Sequence, residues 1–93
     1  MVPNTKHGLK KLETLLGELG YTVRYEKGNF QSGYCLVESR RVAIVNKFFD
    51  TEARVSCLLD VFAQYRGGKP EGLAAASDKL YTGLAKRFGF EEE

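Results

Sequence analysis

One histidine and two cysteines are all that this 93-residue chain carries of the residues that make up most structural zinc sites. His7 stands far in sequence from Cys35 and Cys57. A zinc site wants three or four ligands at short paired spacings, so neither a metal nor any other cofactor is expected. Ser32, Ser39, Ser56 and Ser77 have no histidine close by to act as base, and either cysteine as nucleophile meets the same objection. The glycine-containing stretch 28–33 lies between strand-like runs and lacks the Lys-Ser/Thr ending of a phosphate loop. A carboxylate pair such as Glu38 with Asp60 is open to the fold, but no spacing singles it out. The expectation is a protein that is not an enzyme.

Long apolar runs are also missing. None approaches the roughly 20 residues that a bilayer-spanning helix requires, and Met1-Val2-Pro3-Asn4-Thr5-Lys6 has no hydrophobic signal core behind it. The expected location is the cytoplasm, with no membrane partner. Cys35 and Cys57 each sit inside an apolar stretch rather than in a Cys-x-x-Cys spacing, which reads as two buried reduced thiols.

What is present fits one small globular domain over residues 1–93. With 43% hydrophobic and 28% charged residues, the chain has enough apolar surface to fold and enough charge to stay in solution. At this size one hydrophobic core is the limit. The net charge of +2 hides an asymmetry: Glu91, Glu92 and Glu93 close the chain, and ahead of them nine acids face fourteen bases. Such a body is suited to ordinary solubility, to an acidic protein face or to nucleic acid.

Leu9, Leu12, Leu15, Leu16 and Leu19 recur at helical spacing, with Asn4 or Thr5 available as N-cap and Gly20 placed to end the helix in a left-handed turn. Tyr21, Val23 and Tyr25 then alternate with Thr22, Arg24 and Glu26, the period of a half-buried strand. Tyr34-Cys35-Leu36-Val37-Glu38 and Arg41-Val42-Ala43-Ile44-Val45-Asn46 are β-rich runs joined closely enough to form a hairpin. Asp50 caps a second helix whose inward stripe is Cys57, Leu58, Val61, Phe62 and Tyr65, and Arg66-Gly67-Gly68-Lys69-Pro70 stops it. Leu73, Ala76, Leu80, Leu84 and Phe88 keep roughly helical spacing, while Ser77-Asp78 offers a fresh cap for a shorter helix. The fold class is therefore α+β in the order αβββαα: one helix, a three-stranded antiparallel sheet, then two helices.

The stretch Asn46-Lys47-Phe48-Phe49-Asp50 is the most informative. Two aromatics between a strand and a helix cap leave room for one to staple into the core and for the other to stay outside, flanked by Lys47 and Arg54. A second candidate surface is Arg40-Arg41 at the hairpin connection, with Arg24 and Lys27 across the sheet, where arginines can grip phosphates or carboxylates. Arg24, Lys27, Arg40, Arg41, Lys47, Phe48 and Phe49 are thus the candidate binding residues. No RNP-type aromatic signature, GxxG clamp or helix-turn-helix spacing accompanies them, so nucleic-acid binding rests on charge alone.

The segment from Gly20 through Tyr65 resembles the opening half of ImmA/IrrE-type zinc metallopeptidase domains. That segment is about half of the chain, and within it the matching residues are Arg41-Val42-Ala43-Ile44-Val45-Asn46 for a strand and Glu52-Ala53-Arg54-Val55-Ser56 leading into a helix. In that family the helix carries His-Glu-x-x-His, which holds zinc and supplies a general base. With Asp60 standing where the Glu would be, Leu59 and Ala63 occupy the histidine positions, and apolar side chains cannot hold zinc. The resemblance implies an enzyme-like scaffold that has lost its metal site and serves for binding.

Two further readings stand beside that of a scaffold without its metal site. Strands two and three carry apolar residues at both alternating sets of positions, so the sheet needs a cover on each face, from the third helix, a second copy or a partner protein. That favours a protein-interaction module or accessory subunit, as a homo-oligomer or with another protein. The alternative is a weak nucleic-acid binder using the basic candidates and an exposed Phe.

Overall fold

Thr5 opens the first helix, α1 (Lys6–Glu18), by accepting the Gly8 N–H at its Oγ1 at 3.1 Å. The computed structural model describes residues 5–27, 34–37 and 41–89, with 34–37 as strand backbone. Asn4, the 28–33 connection, Glu38, Arg40 and the 91–93 tail lie outside the described residues, as does the side chain of Cys35. Leu12, Leu15 and Leu16 of α1 are fully buried, and Leu9 and Leu19 nearly so. Each removes enough apolar surface from water to contribute roughly 2 kcal/mol. Gly20 follows at φ +97°, where a Cβ would be strained, and turns the chain into the sheet.

The sheet consists of β1 (Thr22–Glu26), β2 (Tyr34–Val37) and β3 (Val42–Asn46) in the order β1-β3-β2. β2 pairs with β3 antiparallel, whereas β1 runs parallel to β3, from Thr22 opposite Val42 to Glu26 opposite Asn46. The sheet is therefore mixed, not the three-stranded antiparallel sheet expected from the sequence. The chain passes from β1 over to β2 and returns between them, so the most apolar strand takes both neighbours and the centre. In this register Val23 lies beside Ala43 and Tyr25 beside Val45, which makes one continuous apolar face. Ala43 and Val45 are fully buried there, with Val23 and Tyr25 packed against the core.

Asp50 accepts the Ala53 N–H at 2.9 Å and starts α2 (Thr51–Ala63), with Glu52 in the first turn matching the helix dipole. Val55, Cys57, Leu58, Val61 and Phe62 are buried, and Tyr65 just beyond the helix joins them. A single helix, α3 (Ala75–Phe88), follows and closes on Gly89 in the left-handed conformation, with Lys86 and Arg87 in its last turn. Its buried face is Ser77, Tyr81, Leu84 and Ala85, whereas Ala76 is exposed and Leu80 only half-buried. The face expected from the sequence is thus turned by one residue. Tertiary partners account for the turn: Ser77 bonds to Glu18, and the Tyr81 ring meets Phe62 edge-on with centroids 5.5 Å apart.

α1 packs against α2, α3 and β1, and α2 also packs against β3. α3 lies on α1 rather than across the sheet, so it is not the cover for the second sheet face. On the other set of positions Thr22 and Arg24 are exposed, and Glu26, Val42, Ile44 and Asn46 are half-buried. No helix among the described residues is long and apolar enough to cross a membrane.

Candidate interaction site

Parallel pairing of β1 with β3 decides which candidate residues meet. Glu26 pairs with Asn46, and the Glu26 carbonyl accepts the Lys47 N–H at 3.1 Å, so Lys27 and Lys47 leave the sheet at the same end. Arg41 stands at the opposite end, where its carbonyl accepts the Thr22 N–H. An antiparallel sheet would have placed Lys27 near Arg41, whereas the parallel register sets them at opposite ends of the sheet; Arg40, expected beside Arg41, lies outside the described residues.

Arg41 is exposed but tied back to the fold. Its Nη1 donates to the Leu19 carbonyl at 2.9 Å, satisfying the end of α1, and its guanidinium lies 6.0 Å from the Tyr21 ring centre and 5.8 Å from that of Tyr65. Its backbone adopts φ +52°, unusual for a residue with a side chain, and these contacts hold it there. Arg24 forms an ion pair with Glu26 at 2.5 Å on the exposed sheet face. Both arginines are exposed while making these contacts.

The turn between β3 and α2 is held at every step. Asn46 Oδ1 accepts the Phe48 N–H at 3.0 Å, and the Asn46 carbonyl accepts the Phe49 N–H at 3.2 Å. One turn into α2, Arg54 reaches back: its Nη2 donates to the Lys47 carbonyl at 2.7 Å and its Nε to the Phe49 carbonyl at 3.0 Å. The same guanidinium lies 4.5 Å from the Tyr25 ring centre, and the Tyr25 hydroxyl donates to Glu13 of α1. Burial and then the bond to Glu13 push the Tyr25 hydroxyl well above its ordinary pKa, which keeps it a donor. Arg54, expected as a flanking contact group, instead ties the turn to the sheet and to α1.

The two phenylalanines divide. Phe49 is half-buried and packed against the core, while Phe48 is 68% exposed, the one large apolar side chain in that state among the described residues. Lys47 Nζ lies 5.5 Å from the Phe48 ring centre. Sequence reasoning marked the pair. What it lacked was the Asn46 and Arg54 clamp, whose only local signal was an Asn at a strand end and an Arg four residues after a helix cap.

Positions 59, 60 and 63 on α2, which the metallopeptidase resemblance singles out, are a half-buried Leu59, an exposed Asp60 and a half-buried Ala63. Among the described residues no three His, Cys, Asp or Glu side chains converge as metal ligands. Cys57 is a buried free thiol, its pKa raised by burial and then by the charge of Asp60, so it is disfavoured as a thiolate. Comparison with protein families, with curated proteins and with solved structures finds no match.

Proposed function

We propose that this protein is a small protein-interaction module whose anchor is Phe48, without a catalytic site. The supporting observation is the pairing of exposure with rigidity. A large ring stands in water on a turn fixed by Asn46, Arg54 and the Asp50 cap. Displaying a ring this way leaves little backbone entropy to be lost on binding, and aromatic anchors of this kind dominate interface energetics. Lys47 beside it, and Lys27 at the same end of the sheet, favour a partner with acidic groups around an apolar pocket. On this reading the likeness to a metallopeptidase scaffold is one of architecture turned to binding.

The test is affinity capture of the tagged protein from cell lysate with nuclease present, comparing the wild type with Phe48→Ala. A stoichiometric protein partner held by the wild type and lost by the variant, at an unchanged melting temperature, is the expected result. Equal recovery by both proteins would refute the anchor.

A further inference from the structure

A groove of about 190 Å³ runs between α1 and α3, on elements other than those that carry Phe48. His7, Lys10, Lys11 and Thr14 of α1 form one wall, and Ala76 and Ser77 of α3 form the other. The charge along this wall is placed against the helix dipole. The first turn of α1 holds no acid, and Lys6 and His7 sit at the positive end of the helix with Lys10 and Lys11 one turn on. The acids of α1 lie away from the lysines: Glu13 accepts from Tyr25, and Glu18, at the far end of the helix, accepts from Ala74 and from Ser77 of the α3 wall. Ion pairs among the described residues join Arg24 to Glu26 and Lys69 to Asp78, and neither involves α1. Positive charge is thus gathered at a concavity and left without a partner in the described fold, an arrangement that costs stability until an anion arrives.

The shape of the groove narrows the ligand. A compact anion such as phosphate would be drawn to the N-terminus of α3, but the Glu18 carboxylate already occupies that position and repels it. A single nucleic-acid strand would want an aromatic platform for its bases, and the lining has none beyond the small ring of His7. The walls are mainly the aliphatic parts of their side chains, so an apolar group fits the floor while carboxylates meet the lysine rim. We infer that the α1–α3 groove binds an acidic peptide segment that carries one apolar side chain between its carboxylates.

The probe is the capped peptide Glu-Glu-Leu-Glu-Glu, titrated into isotope-labelled protein and followed through backbone amide shifts. The expected shifts centre on residues 7–14 and 74–78. The double variant Lys10→Glu/Lys11→Glu should weaken binding about tenfold or more, as reversal of two rim charges implies. A second variant, Ala76→Phe, fills the groove from an exposed position without changing charge and should also weaken binding. Replacing the central Leu of the peptide by Ser should do the same. Absence of shifts at these positions, indifference to both variants, or tighter binding of a short oligothymidylate would overturn the inference. Phe48→Ala should leave this peptide's affinity unchanged, which keeps the two surfaces separately testable.

Discussion

Ser77 of α3 donates its hydroxyl to Glu18 of α1 at 2.7 Å, across 59 positions of sequence. The other Glu18 oxygen accepts the Ala74 N–H at 3.0 Å. Ala74 is the N-cap of α3 and has no side chain able to cap it, so the last turn of one helix supplies the cap for another. The hydrogen bonds from Ser77 and then Ala74 hold the Glu18 carboxyl below its ordinary value of 4.5.

A lowered carboxyl pKa contributes stability above the unfolded value and loses it as pH falls through the folded one. Glu18→Gln should therefore unfold at lower urea concentration than the wild type at pH 7. The gap should close as pH drops below about 4.5, where the wild-type carboxyl itself takes up a proton. Urea melts of both proteins across pH 3–7 check this. A gap independent of pH would mean that the carboxylate charge does not hold the helix.

Arg54 supports the Phe48 turn by forked hydrogen bonding, which lysine cannot reproduce. Arg54→Lys should cost roughly 1–2 kcal/mol, less than for buried charged bonds because one of the two is exposed. Amide exchange at residues 47–49 should quicken in this variant, while the centre of α1 stays protected. Partner affinity should fall although Phe48 is untouched, because the ring must then be ordered on binding. Unchanged exchange in the turn would show that Arg54 does not fix it.

Tyr25→Phe removes the donor to Glu13 and leaves the ring under Arg54. The expected loss is about 1 kcal/mol near pH 7. The raised pKa of Tyr25 adds stability that is fully present below the ordinary tyrosine value of 10 and is lost as pH rises above it. The wild type should thus lose its advantage over the variant in urea melts as pH rises above 10. An advantage that stays constant through that range would sink this account.

Legibility followed the range of the forces involved. The leucine stripe of α1, the Thr5 cap and the Gly20 turn depend on residues within a turn or two of one another, as do the Asp50 cap and the buried stripe of α2. The strands could be read for the same reason, β1 from alternation and β2 and β3 from their β-rich runs. The face of α3 could not, because Ala76 and Ser77 compete for the inside and the deciding partner, Glu18, is remote in sequence. The candidate site was half legible: the Phe48–Phe49 pair stands out by its place between strand and cap, whereas the clamp needs Arg54 to meet carbonyls earlier in the chain.

By itself the sequence determined the first two helices, the strands, the helical character of the stretch after Leu73, the order of these elements and the scarcity of metal ligands. Tertiary structure alone decided that β1 lies parallel to β3. A strand has the same hydrogen-bonding groups along both edges and can pair in either direction, so alternation fixes its faces but not its neighbour's direction. That choice set Lys27 beside Lys47 and parted both from Arg41. Contacts between side chains and remote backbone made the remaining decisions, tying Arg41 and Arg54 to carbonyls as braces and leaving Phe48 in water.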